Sequence, residues 1–160
     1  MIHIRRAGSL DTRPMVELLN GIIEVGGTTA IAAPVDAQDF AEWIAKSQRS
    51  AWFIAEDAQG TLLGFQWIEQ IPDLPAEAAE IATFTRIGKT GLGVGSALFG
   101  QTRKAAKALG YRWIRANIRA DNTGGLAYYQ SRGFEEYARL PNVQLSNGQV
   151  VDKILKRFEL

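Results

Sequence analysis

The sequence predicts an α/β fold built on a mixed sheet, with its elements in the order β-α-α-β-β-β-α-β-α-β-β. Three observations predict it. Apolar, β-rich runs such as "AWFIAED" and "TLLGFQWIEQI" are interleaved with stretches whose apolar residues recur at helical spacing. A strand-like run, "AEIATFTRI", leads through a glycine-rich turn directly into a helix. No internal repeat or low-complexity linker interrupts this order, so residues 1–160 read as a single domain.

Each element has a local cause. "IHIR" alternates like a short strand. Asp11 stands where it can cap a helix through "TRPMVELLNGIIEV", in which Met15, Leu18, Leu19, Ile22 and Ile23 repeat at helical spacing, and Gly26-Gly27 stops it. "PVDAQDFAEWIAKS" reads as a second helix with Phe40, Trp43 and Ile44 on one face. "AWFIAED" and "TLLGFQWIEQI" are joined by "AQG", a hairpin signal, and "AEIATFTRI" is the next strand. A helix runs from Gly93 to Leu109, with Leu98, Ala105 and Leu109 in its apolar set, and Gly110 ends it. "YRWIRANI" is a further strand. "DNTGGLAYYQSRGF" opens with a capping residue and closes at Gly133. "EEYARLPNV" and "VVDKILKRFEL" form two last strands around Asn147-Gly148.

Bulk properties narrow the chemistry. A chain of 160 residues with a formal charge of +1 is large enough for a real core and too evenly charged for a general nucleic-acid binder. The absence of cysteine excludes disulfides, thiolate metal sites and an acyl-cysteine mechanism. "MIHIRR" has no apolar signal stretch and no window reaches membrane-spanning length, so the expectation is a cytoplasmic protein without a membrane or nucleic-acid partner. His3, the only histidine, has no second ligand at metal spacing, and no metal is expected.

The stretch "RIGKTGLGVGSALFG" carries two nucleotide-binding signals, and both fail. A P-loop ending at Gly88-Lys89-Thr90 needs glycine at 83, which is Thr83. A dinucleotide fingerprint starting at Gly91 needs glycine at 96, which is Ser96, and one starting at Gly93 needs it at 98, which is Leu98. A strand entering a glycine-rich turn before a helix still gathers backbone amides at the helix's positive end, as an anion site requires. The same glycines would serve a plain tight turn equally well.

In the later helix, Asn122 and Tyr129 are two turns apart and share a face, with Gly125 on about the same stripe. An amide, a gap and a phenol in line suggest an edge that faces a ligand. The alternative is an ordinary capped helix whose tyrosines are core, and Tyr128, off the stripe, is expected there.

"GLGVGSALF" followed by "NTGGLAYYQSRGF" resembles the GNAT superfamily of N-acetyltransferases, whose loop reads Gln/Arg-x-x-Gly-x-Gly/Ala and whose later helix reads about Asn-x-x-Ala-x-x-x-Tyr-x-x-x-Gly-Phe. The match is gap-free from Glu80 to Gly95 and from Asn122 to Phe134, and the element order covers essentially the whole chain. "AEIATFTRIGKTGLGVG", "RLPNV" and "VVDKIL" are most similar to the phosphinothricin/methionine-sulfone acetyltransferase branch. The resemblance implies transfer of an acetyl group from acetyl-CoA, as co-substrate, to the primary amine of a small molecule by direct attack in a ternary complex. It places Thr90, Gly91, Leu92, Gly93, Val94, Gly95 and Ser96 around the pyrophosphate, Phe84 and Thr85 beside the pantetheine arm through their backbone, and Asn122 against that arm. It also implies a backbone N–H polarising the thioester carbonyl, Tyr129 as the acid protonating the thiolate, and Glu80, at the branch's usual carboxylate position, as the base. A homodimer is implied by the branch.

The sequence departs from the family in places. Thr90 stands at the loop's Gln/Arg position, with Lys89 beside it, and Ile87 replaces the proline usual after the central strand. On the acceptor side "IEQIPDLPAEAAE" lacks the branch's arginines and presents Glu69, Asp73, Glu77 and Glu80, which suits a cationic amine or is simply a solvated acidic loop. Arg86 is placed to meet a carboxylate, and Trp67 either lines an acceptor pocket or is core. Arg103, Lys104 and Lys107 are read as complementing the helix dipole. Three other functions remain open: a non-catalytic acyl-CoA sensing module, a protein or peptide acetyltransferase of the same fold, and an unrelated nucleotide-binding fold.

Overall fold

The computed structural model describes residues 1–160. Its elements follow the expected order: β1 His3–Arg6, a 3-10 turn Ser9–Asp11, α1 Thr12–Val25, α2 Ala37–Lys46, β2 Ala51–Glu56, β3 Leu62–Glu69, β4 Ala78–Thr85, α3 Val94–Ala108, β5 Trp113–Arg119, α4 Thr123–Arg132, β6 Glu135–Gln144 and β7 Val150–Glu159. Seven strands form one open sheet ordered β1-β2-β3-β4-β5-β7-β6. Only β4 and β5 pair in parallel, so the sheet is the mixed, mostly antiparallel one, flanked by helices, that the GNAT resemblance implies.

Helix starts separate into two kinds. Asp36 caps α2, accepting from Asp39 N at 2.9 Å while the Asp39 carboxylate accepts from Asp36 N at 2.9 Å. Asp11 does not cap α1 as expected. Its carboxylate accepts from Arg5 Nη1 and Nη2 at 2.8 Å and from Gly8 N at 2.6 Å, because Arg5 on β1 competes for it and ties the 3-10 turn to the sheet edge.

The sheet separates two cores. Against one face α3 and α4 bury Leu98, Phe99, Ile114, Ile118 and Phe134. Against the other, α1 and α2 close over Met15, Leu19, Phe40, Trp52, Phe65 and Trp67. Trp67 belongs to this core: its ring stacks on Trp52 at 4.1 Å between centroids and 13° between planes.

The parallel pair positions the site. Its register runs from Ala78↔Trp113 to Ile81↔Ala116 and stops there, although β4 continues to Thr85 and β5 to Arg119. On the other side β4 stays paired with β3 as far as Thr85, and Arg86 N donates to Leu63 O at 2.8 Å. In an antiparallel ladder alternate residues turn their N–H and C=O to opposite sides. Phe84 therefore turns its backbone to β3, whereas Thr83 and Thr85 turn theirs to the side that β5 has left.

Candidate active site

A cavity of about 750 Å³ lies at the end of β4. Its walls are Thr83, Phe84 and Thr85, the loop into α3, the inner face of α4, and Ile22, Val25, Thr28 and Thr29 from α1 and the segment after it. Of the residues expected to bind the coenzyme, Phe84, Thr85, Thr90, Gly91, Gly93, Val94, Gly95, Ser96 and Asn122 line it, and so does Tyr129. Leu92 and Glu80 do not: the Leu92 side chain is exposed, and Glu80 lies on the opposite face of β4 from Thr83. Phe84 reaches the cavity while its carbonyl stays on the β3 side, so Thr85, together with Thr83, offers the free backbone.

The loop into α3 has the chemistry of an anion cradle. Gly93 is the residue before the helix and takes φ 83°, a left-handed conformation costly for any other residue. With no side chain there, no hydrogen bond caps the first amides of α3, and the space where a Cβ would stand is empty. The loop's own Gln/Arg position, Thr90, carries no charge, and a cation arrives from elsewhere: Arg132, in the last turn of α4, lines the cavity and donates through Nη1 to the Ser96 hydroxyl. The residues present thus fit a pyrophosphate. Gly95 has a different role. A Cβ on it would lie 2.5 Å from Tyr128 Cε1, so its lack of a side chain lets α4 approach α3.

The start of α4 is held by its own polar residues. Asn122 Oδ1 accepts from Gly125 N at 2.9 Å, which caps the helix, and Asn122 Nδ2 donates to Thr28 O at 2.9 Å. What approaches Gly125 is therefore the Asn122 side chain. Arg119, buried at the end of β5, pairs with Asp121 at 2.7 Å and donates to Thr29 O at 3.1 Å. Together these residues tie the segment after α1 to the cavity's far wall.

Tyr129 is buried, and its Oη lies 2.8 Å from Thr83 Oγ1. Burial pushes its phenol pKa up, with the Thr83 hydrogen bond opposing, so Tyr129 stays protonated. Tyr128 packs against the core, as the sequence suggests, but it also lines the cavity, where its Oη donates to Gly95 O at 2.7 Å and accepts from Gln66 Nε2 at 3.1 Å. Gln66 stands directly opposite Thr83 in the β3–β4 register, is fully buried, and also donates to Thr83 Oγ1 at 2.8 Å.

On the other face a charged row crosses three strands: Glu69 on β3 faces Glu80 on β4, which faces Arg115 on β5. Glu80 sits one residue before the β4–β5 ladder ends. Burial pushes its carboxyl up to about 7, against Arg115, whose Nε donates to Glu80 Oε2 at 2.7 Å; Asp73 and Glu69 push in the same direction as burial. Glu69 is raised by burial as well, with the 2.5 Å donation from Trp67 Nε1 opposing. Arg115 also binds Asp73 at 3.2 Å. Arg86 is occupied by Leu62 O at 2.6 Å, and Arg103 lies over the Phe158 ring at 5.1 Å.

The family model for the acetyltransferase (GNAT) family matches residues 23–134. An uncharacterized N-acetyltransferase of Methanocaldococcus jannaschii is 30% identical over 106 residues, 62% of this chain and 46% of that protein, so the chain spans about half the length of this relative. A crystal structure provisionally named a phosphinothricin N-acetyltransferase superposes with TM-score 0.87 at 27% identity, covering 100% of this chain and 99% of that one. A phosphinothricin acetyltransferase from Sinorhizobium meliloti in complex with acetyl-CoA superposes with TM-score 0.88 over 99% of this chain and 88% of that one; at 20% identity the likeness is one of fold.

Proposed function

The chain belongs to the acetyltransferase (GNAT) family, and from that premise we propose that residues 1–160 form one N-acetyltransferase domain transferring acetyl from acetyl-CoA to the primary amine of a small molecule. The observation that carries the reading is the cavity, which joins an open anion cradle at the start of α3, the free backbone of Thr83 and Thr85, and a buried phenol. The cradle amides and Arg132 hold the pyrophosphate. The unpaired side of β4 aligns the pantetheine arm and offers an N–H to the thioester oxygen as it gains charge. The amine attacks the thioester carbon and gives up a proton to Glu80, directly or through water; Tyr129 protonates the departing sulfur. Glu80 with a pKa of about 7 is half ionised at neutral pH, a value suited to a base.

The acidic residues Glu69, Asp73 and Glu80 outnumber their one buried partner, Arg115, which favours a cationic acceptor over a free amino acid. Resemblance to the branch alone supports a homodimer, and the cytoplasmic placement is carried over from the sequence reading. The test is coenzyme A release by thiol detection over a panel of amino acids, methionine sulfone, phosphinothricin, polyamines, arylamines and a lysine peptide. Turnover with polyamines is expected. Tight coenzyme binding without turnover would favour a sensing module, turnover confined to the peptide would favour a protein acetyltransferase, and failure to bind coenzyme would overturn the proposal.

A further inference from the structure

We propose that Gln66 is a positioning residue that fixes the direction of a Gln66–Thr83–Tyr129 hydrogen-bond chain, leaving the Tyr129 proton free for the sulfur of the coenzyme. The inference rests on the function proposed above and concerns a residue that makes no contact with the cavity.

Proton counting gives the direction as far as Thr83. Gly95 O can only accept, so the 2.7 Å contact from Tyr128 Oη uses the Tyr128 proton. The Gln66 atom 3.1 Å from that same Oη must then be a donor, which makes it Nε2 and settles which way the amide faces. Nε2 is also 2.8 Å from Thr83 Oγ1 and donates there. The Thr83 hydroxyl cannot return its proton to an NH₂ group; its other partner is Tyr129 Oη, at 2.8 Å. Thr83 accepts from Gln66 and keeps one proton to give, and Tyr129 Oη is its one other side-chain partner, so we assign Thr83 as the donor; the phenol proton is then left for the space that Thr83 and Tyr129 both line.

The arrangement has a cost that supports a purpose. Gln66 is 0% exposed, and its Oε1 is buried without a partner, a state that a packing role alone would not favour. A Leu or Met in the same slot would fill the volume with no orphaned oxygen. What the amide adds is one fixed donor at the head of the chain.

The chemistry balances in a single step. As the C–S bond breaks, its electron pair goes to sulfur, and Tyr129 Oη transfers its proton there. The phenolate left behind already accepts from Thr83, whose oxygen accepts from Gln66, so charge developing on Oη is met by two donors in series. Solvent returns a proton to Oη before the next turnover. Gln66 fills one of the two Thr83 lone pairs and so biases the hydroxyl towards donating; without it both lone pairs are free to accept from Tyr129, which draws the phenol proton away from the sulfur.

Coenzyme A itself is the probe, since its thiol titrates and no acceptor amine is needed. The pKa of the bound thiol is read from thiolate absorbance against pH in wild type, Gln66→Met, Thr83→Val and Tyr129→Phe. Desulfo-coenzyme A binding, measured by calorimetry, reports whether each site remains folded. A donor aimed at sulfur stabilises the thiolate, so the thiol is expected to titrate about 1 unit lower in wild type than in all three variants, with desulfo-coenzyme A affinity within about twofold throughout. A thiol pKa in Gln66→Met equal to wild type, with Tyr129→Phe raised, overturns the role of Gln66 and leaves Tyr129 as the acid. Equal values in wild type and Tyr129→Phe overturn both assignments. No binding of coenzyme A removes the function on which they rest.

Discussion

Replacing Glu80 by Gln separates the proposed base from the rest of the site and reports on the acceptor. With its carboxyl at about 7, Glu80 is only about a tenth ionised at pH 6 and almost fully so at pH 8. Wild-type kcat/KM should therefore rise with pH up to about 7 and then level, because ionised Glu80 accepts the proton from an amine bound as ammonium. Gln cannot accept it, so the variant must wait for amine that is already neutral, and its profile climbs until the amine's own pKa. For an alkylamine near 10.4 the gap to Glu80 is about 3 units, which sets a ceiling of ~10³-fold loss at pH 7, shrinking tenfold for each unit of added pH. For an α-amino group near 8 the same gap is about 1 unit and the ceiling only ~10-fold. The assay is coenzyme A release under kcat/KM conditions from about pH 6 to 10 for both proteins. Converging profiles support the base, and the size of the loss at pH 7 tells an alkylamine acceptor from an α-amine. Profiles that stay parallel across that range would refute the assignment, since a residue that only shapes the pocket scales the rate equally at every pH.

Three further expectations follow from contacts around the cavity. Arg132→Gln should weaken coenzyme A binding about fivefold in low salt, with a smaller effect as salt is raised; calorimetry at two ionic strengths checks both halves. Asn122→Ala removes the α4 cap and the bond to Thr28 O, together about 2 kcal/mol, and should lower Tm by roughly 4–8 °C, while Asn122→Asp keeps the cap and should lose about half as much. Gly64→Ala would place a Cβ 2.8 Å from Phe84 O and 3.0 Å from Val94 Cγ1, so both stability, by about 1–3 kcal/mol, and coenzyme affinity should fall as β4 and α3 are pushed off β3.

Element order, the glycine turn into α3 and the cap that opens α4 were legible in the sequence because each depends on neighbours within a turn or two: the left-handed Gly93 before one helix and Asn122 before the other. Misread or half-read residues were those whose partners lie in another element. Asp11 looked free to cap α1 until Arg5 claimed it across the 3-10 turn. The second role of Tyr128, beyond packing on the core, was hidden because nothing local shows that Gly95, 33 residues earlier, accepts its hydroxyl proton. Arg115 and Gln66 took their roles from sheet register, opposite Glu80 and Thr83. A signal for them existed: a lone amide within "LLGFQWIE" and an arginine within "WIRANI" are polar residues inside apolar strands, and a buried polar group must be paired. Which partner each would find depended on register alone.

The early end of the β4–β5 ladder has a consequence beyond positioning. A sheet ordinarily has two rims; this one has a third in its interior, where Thr83 and Thr85 present peptide groups to a gap. Exposed rims attract other chains and are usually blunted by charge, bulges or proline. Here, on the proposed function, the pantetheine arm takes the place of a missing strand, so the co-substrate completes the sheet as well as reacting within it. Occupancy then stabilises the folded state by mass action. Coenzyme abundance in the cell would set both how fast the enzyme works and how long its folded chains last.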